Sequence, residues 1–76
     1  MINIYKDIDG DGEVDAYAYG SDWIQVYFST GDVYEYTTES AGSQNIETMK
    51  RFADSGDSLS LYINTFVKNR FSRRIR

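Results

Sequence analysis

Val14-Asp15-Ala16-Tyr17-Ala18-Tyr19-Gly20-Ser21-Asp22-Trp23-Ile24-Gln25-Val26-Tyr27-Phe28-Ser29-Thr30-Gly31-Asp32-Val33-Tyr34-Glu35-Tyr36 is the stretch whose reading decides the fold. Val14, Ala16 and Ala18 alternate with Asp15, Tyr17 and Tyr19, which predicts a strand with its small apolar residues toward a core. Gly20-Ser21-Asp22 then supply turn residues. A second strand follows, with Ile24, Val26 and Phe28 on one face and Trp23, Gln25 and Tyr27 on the other. The next turn centres on Gly31. A three-residue loop of Thr30, Gly31 and Asp32 sets Phe28 opposite Tyr34 and Val26 opposite Tyr36, gathering four large residues on one face. A two-residue loop would bring Glu35 opposite Val26 and bury a carboxylate among apolar groups.

Outward from this meander, Ile2 and Ile4 alternate with Asn3 and Tyr5, which adds a short strand ahead of it. On the other side the period changes. Ile46, Met49, Phe52 and Ala53 recur at helical spacing, with Ser43 as the expected N-cap and Gly56 as the stop. Leu59, Ile63, Phe66, Val67 and Phe71 form a second helical stripe, capped by Asp57 or Ser58, with Asn64, Lys68 and Asn69 toward solvent. The expected class is α+β: a three- or four-stranded antiparallel β-meander followed by two α-helices packed on one face.

Length and composition limit the function. Seventy-six residues suffice for one domain, 1–76, and leave no room for a second lobe. A 41% hydrophobic and 16% aromatic content is too rich in core formers for a disordered chain. No Cys and no His are present, which removes thiol chemistry, zinc ribbons and the commonest general base, so no enzyme and no catalytic residue is expected. No apolar run approaches a membrane span and the start lacks the pattern of a signal peptide, so a cytoplasmic protein without membrane contact is expected.

Several short elements in order, Asp15-Ala16-Tyr17-Ala18-Tyr19, Val26-Tyr27-Phe28, Gly31, Tyr34-x-Tyr36, Ala53-Asp54-Ser55-Gly56 and Tyr62-Ile63-Asn64 leading to Val67 and Phe71, make the chain resemble the KTSC domain. The resemblance covers roughly residues 13–74 and leaves 1–12 as an N-terminal extension with an acidic, Gly-rich turn. That small domain occurs alone in bacterial and phage proteins and fused to the C-terminus of some lysyl-tRNA synthetases. The resemblance implies a fold, no established general function, and through the synthetases a link to RNA. Where members usually carry Val-Pro after the Y-x-Y strand, this chain has Thr37-Thr38-Glu39-Ser40-Ala41-Gly42, so its first helix starts differently.

Asp7-Ile8-Asp9-Gly10-Asp11-Gly12-Glu13-Val14-Asp15 matches the first nine positions of an EF-hand type calcium loop, D-x-D-x-D-G-x-x-D. Carboxylates at alternate positions of a curling loop converge on one hard cation, Gly12 allows the sharp bend, and Glu13 stands where a backbone carbonyl ligates. The candidate metal residues are therefore Asp7, Asp9, Asp11, Glu13 and Asp15, and the candidate cofactor is Ca2+. The twelfth position, normally a bidentate Glu, is Ala18, so a distant acid such as Asp22 or water would have to complete the set. The competing reading is a hydrated turn whose Asp side chains cap local backbone groups.

Charge is divided along the chain: residues 1–40 hold nine acids and one base, Lys6, while residues 41–76 hold seven bases and three acids. Lys68, Arg70, Arg73, Arg74 and Arg76 cluster at the expected end of the second helix. They read either as a phosphate-contacting patch or as cations that complement a helix C-terminus. Trp23 and Tyr27, on the outward sheet face, are the aromatics that would stack bases or form a protein interface. The expected function is a small non-enzymatic binding module that contacts RNA or a protein partner through Trp23, Tyr27, Lys68, Arg70, Arg73 and Arg74. The alternative is a calcium-binding domain. Opposite charges on the two halves also favour association between copies.

Overall fold

The alternating stretch folds as an antiparallel meander of β2 (Val14–Tyr19), β3 (Trp23–Phe28) and β4 (Val33–Thr37), flanked by β1 (Asn3–Ile4). Three helices follow: α1 (Thr38–Ala41), α2 (Ser43–Ser55) and α3 (Leu59–Tyr62), the last running on as a π-helical segment, Ile63–Val67. A fifth strand, β5 (Arg73–Arg74), then returns to the sheet. The structure, a computed structural model, describes residues 2–8, Gly10 and 12–76. Among these the fold is the expected α+β class, with five strands in the order β1-β2-β3-β4-β5 and every neighbouring pair antiparallel.

The β3–β4 hairpin closes one residue earlier than expected. Gly31 N–H donates to the Phe28 carbonyl at 2.9 Å and Phe28 N–H to the Asp32 carbonyl at 2.9 Å, so the loop is Ser29, Thr30 and Gly31. Val26 therefore lies opposite Tyr34 and Ile24 opposite Tyr36. A three-residue closure places its positive-φ residue last, and Gly31, at φ +97°, takes that place. The pairing moves by two residues, which leaves every side chain on its expected face.

A one-residue irregularity in β2 has the opposite effect. Val14 lies opposite Phe28 but Ala16 lies opposite Tyr27, so Asp15 is the extra residue of a bulge. Beyond it the alternation inverts. Tyr17 and Tyr19 stand opposite Val26 and Ile24 on the face the helices cover, while Ala16 and Ala18 share the far face with Tyr27 and Gln25. The core-facing residues of β2 are thus Val14 and Tyr17, with Tyr17 only 7% exposed, and not Ala16 and Ala18 as the bare alternation predicts.

The core joins Ile24, Val26 and Tyr36 of the sheet to Ile46, Met49 and Ala53 of α2 and to Leu59, Ile63 and Val67 of the last helical segment. Full burial of each large aliphatic contributes about 1.5–3 kcal/mol relative to exposure. The small helix α1 was not expected from the sequence. It starts because Thr37 and Ser40 form a reciprocal cap, each side chain accepting the other's backbone N–H. The turn from α1 to α2 passes through Gly42 at φ +93°, so Gly42 precedes α2 and Ser43 is its first helical residue rather than its cap. Gly56 ends α2 as expected, in the left-handed conformation, with its N–H on the Phe52 carbonyl at 2.9 Å. Ser58 precedes α3 without a side-chain cap bond. The Leu59 N–H is met instead by the Tyr5 hydroxyl at 3.1 Å.

The second helix differs most from expectation. Widening into a π-helix keeps Ile63 and Val67 buried but turns Phe66 outward. Helical structure ends at Val67, and Phe71 reaches the core from the following loop, its ring 4.6 Å from that of Tyr34.

Candidate functional site

The cations expected to crown a helix mostly join the sheet edge. Arg73 lies opposite Glu35 in the β4–β5 ladder and its Nε donates to the Glu35 carboxylate at 3.2 Å. Arg74 holds Asp32 at 2.7 Å. Arg76 donates from Nε to the Gly31 carbonyl at 3.3 Å and lies 6.0 Å from the centre of the Tyr27 ring. The chain folds back after Phe71 because β4 would otherwise be an open edge, and the Ser72 N–H on the Glu35 carbonyl, at 2.6 Å, begins the pairing. Glu35 also accepts from the Gln25 side chain at 2.9 Å. That hydrogen bond first, and Arg73 second, hold its carboxyl below the ordinary 4.5 against the opposing effect of burial. All five cations are exposed, and Lys68, Arg70 and Arg76 have no ion pair among the described residues, Arg76 being held by the Gly31 carbonyl and the Tyr27 ring instead.

Of the two expected aromatics, Tyr27 meets only Arg76 among these cations, and neither joins Lys68. Trp23 lies with its indole over Gly20, close enough that a Cβ built at Gly20 would fall 2.7 Å from its Cε2. Tyr27 is half-buried opposite Ala16 and Val33, on the face away from the helices. Lys68 is on the helical side. Trp23 and Tyr27 therefore form no common surface with Lys68.

Lys68 lies instead in a cleft of about 370 Å³ between the end of the β3–β4 hairpin and the π-helical segment. Phe28, Tyr34 and Phe71 supply its aromatic wall. Their rings meet edge to face, Phe28 to Tyr34 at 5.8 Å and Tyr34 to Phe71 at 4.6 Å, which fixes the wall's shape. Asn64, Lys68 and Asn69 line the same cleft with two carboxamides and an ammonium, while Glu13, Ser29, Thr30, Asp32, Tyr36 and Ile63 complete it. Asp32 is neutralised by Arg74. Asn64 and Asn69 read in sequence as plain solvent-facing residues, and nothing local there signals that a hairpin 35 residues earlier closes over them.

Of the acidic loop, Asp9 and Asp11 lie outside the described residues. Asp7 adopts φ +52°, its Oδ2 accepts the Gly12 N–H at 3.0 Å, and its Oδ1 is buried with no hydrogen-bond partner among the described residues. The Glu13 carbonyl accepts the Ser29 N–H at 2.9 Å, and Asp15, in the bulge, uses its carbonyl for the Tyr5 N–H at 3.0 Å. Asp22 sits at the other end of β2, about six residues of strand or ~20 Å away, and does not complete this set. Among the described residues no three acidic groups come together as a metal cluster. The loop is anchored to α2: the Ile8 N–H donates to the Gly56 carbonyl at 2.7 Å.

A separate apolar depression of about 430 Å³ lies over Phe52, Ser58, Leu61, Tyr62, Thr65 and Phe66. Leu61 is 64% and Phe66 59% exposed. Leu61 could have been flagged from sequence, as an apolar residue off the Leu59–Ile63 stripe. Phe66 could not, because α-helical spacing counts it as core.

No protein-family model, no curated protein and no solved structure matches this chain. Among the described residues, no helix is long and apolar enough to cross a membrane.

Proposed function

We propose that this chain is a non-enzymatic binding module that holds one unstacked nucleotide of a single-stranded nucleic acid in the cleft between the β3–β4 hairpin and the π-helical segment. The observation that carries this reading is the pairing, within about 370 Å³, of the Phe28–Tyr34–Phe71 wall with Asn64, Lys68 and Asn69. Unstacked bases pack on aromatic rings, carboxamides hydrogen-bond their edges, and an ammonium meets the phosphate. Pockets of this size with an apolar wall and a few polar groups suit small planar ligands. The resemblance to a domain fused to lysyl-tRNA synthetases supports RNA as the ligand. The basic strand β5 contributes little, since Arg73 and Arg74 already hold carboxylates. With Lys68 and Arg70 as the phosphate contacts, log K falls against log salt with a slope of about −1.4, at about −0.7 per phosphate. Fluorescence anisotropy with short oligoribonucleotides at low salt tests this. Lys68→Ala should weaken binding and flatten the slope, and Asn64→Ala should weaken binding without changing it. Absence of binding, or equal loss from Arg73→Ala, overturns the reading, and the second result would return the site to the sheet edge.

A second reading is favoured by one atom, the buried Asp7 Oδ1, which has no hydrogen-bond partner among the described residues. In this reading Asp7 and the acidic residues after it bind Ca2+, which supplies the missing positive partner. A ligand present at 100 times its Kd raises stability by about 2.7 kcal/mol. Thermal melts with millimolar calcium and with chelator test it, and identical melts would exclude it.

A further inference from the structure

The apolar depression over Leu61 and Phe66 shares no lining residue with the nucleotide cleft. We propose that it is the contact of a two-fold dimer in which the segments 59–67 of two copies pack antiparallel.

Two large apolar side chains here face solvent: Leu61 at 64% and Phe66 at 59% exposure, around a depression whose remaining walls are Phe52, Ser58, Tyr62 and Thr65. The surface is preformed. Tyr62 packs edge to face on Phe52 at 5.4 Å, lies 4.8 Å from the Phe66 ring, and donates its hydroxyl to the Asn45 carboxamide oxygen. Fixed aromatic side chains lose little conformational freedom when a partner covers them.

Charge selects the occupant. Asp57 lies exposed at the N-terminal end of this segment, and Lys68 and Arg70 lie exposed at its C-terminal end. None of the three has an ion pair among the described residues. An isologous contact sets the same patch against itself, so residue i of one copy meets residue j of the other. Antiparallel packing brings Asp57 of each copy toward Lys68 and Arg70 of its partner, with Leu61 and Phe66 between. Parallel packing would set like charges together. The surface thus carries its own complement in both its apolar centre and its charged ends.

Sedimentation equilibrium of the full chain, from micromolar to about 1 mM, tests the proposal. A concentration-dependent monomer–dimer equilibrium is expected, weakened by salt. Phe66→Ser and Leu61→Ser should each give a monomer throughout, with an unchanged far-ultraviolet spectrum. Asp57→Arg should weaken the dimer about tenfold, and Asp57→Arg combined with Arg70→Asp should restore it. A wild-type chain that stays monomeric overturns the proposal, as does a dimer insensitive to Phe66→Ser. Failure of the charge reversal to restore association leaves an apolar contact and overturns the antiparallel arrangement.

Discussion

Asp54, one residue from the end of α2, accepts the Tyr17 hydroxyl of β2 at 2.8 Å on one carboxylate oxygen and the Tyr19 hydroxyl at 2.7 Å on the other. The two rings stack with centres 6.1 Å apart. One carboxylate thus fastens the helix to two alternate residues of a strand. Both tyrosines reach it only because the Asp15 bulge turns them to this face. Removing the carboxylate with Asp54→Ala should lower stability by about 1–2 kcal/mol, the contribution of charge-assisted bonds partly open to water. Tyr17→Phe should lose part of that, as urea denaturation would measure.

The same contact sets an alkaline limit. Burial first, and the bond to Asp54 second, push the Tyr17 phenol up to about 12, and the Asp54 bond raises Tyr19 as well. A phenol raised in the folded state contributes stability that is fully present below pH 10 and lost as pH rises toward 12. Wild type should therefore lose stability across that window more steeply than Tyr17→Phe, as the urea midpoint against pH will record.

Glu35 has the reverse sign. Its carboxyl is lowered in the folded state, so its contribution is present above the ordinary 4.5 and is lost as pH falls through the lower folded value. Glu35→Gln should cost about 0.5–1 kcal/mol at pH 7 and should flatten the stability profile on the acid side. Equal acid sensitivity in the two proteins would show that the Arg73 and Gln25 contacts carry no net weight.

Gly56 joins α2 to the N-terminal segment. A Cβ there would meet the Lys6 Cβ at 2.5 Å and the Asp7 N at 3.1 Å, at a φ of +77° that L residues adopt with strain. Gly56→Ala should destabilise by more than ~1 kcal/mol, and hydrogen exchange of the Ile8 amide should accelerate beyond the global change.

In the core, Met49 is fully buried between the sheet and the final helical segment. Met49→Ala should cost about 2–5 kcal/mol, a large share of the stability of so small a domain. A Tm that barely moves would mean the helices are held by contacts other than this core.

Much of the architecture was legible because it depends on local pattern. Period-two alternation marked β2, β3 and β4. The Ile46, Met49, Ala53 spacing and Gly56 marked α2 and its end. The hairpin register was misplaced by two residues, harmlessly, since an even shift preserves faces. The bulge at Asp15 was not legible: a strand with one extra residue has the same composition as one without, and only pairing with β3 reveals which residue is unopposed. For the same reason Tyr17 and Tyr19 read as outward aromatics when they are the contacts to α2.

The candidate sites divide along the same line. The sequence by itself determined the α+β class, the buried faces of β3 and of α2, the absence of thiol and imidazole chemistry, and the segregation of acids from bases, because these follow from residue type and short-range periodicity. Only the tertiary structure decided where the C-terminal arginines go, that Phe66 faces outward, and that Asn64, Lys68 and Asn69 meet Phe28, Tyr34 and Phe71. An open strand edge recruits whatever chain can pair with it, and a π-turn rotates every later side chain. Both effects arise from contacts between segments far apart in the chain, which no local pattern encodes.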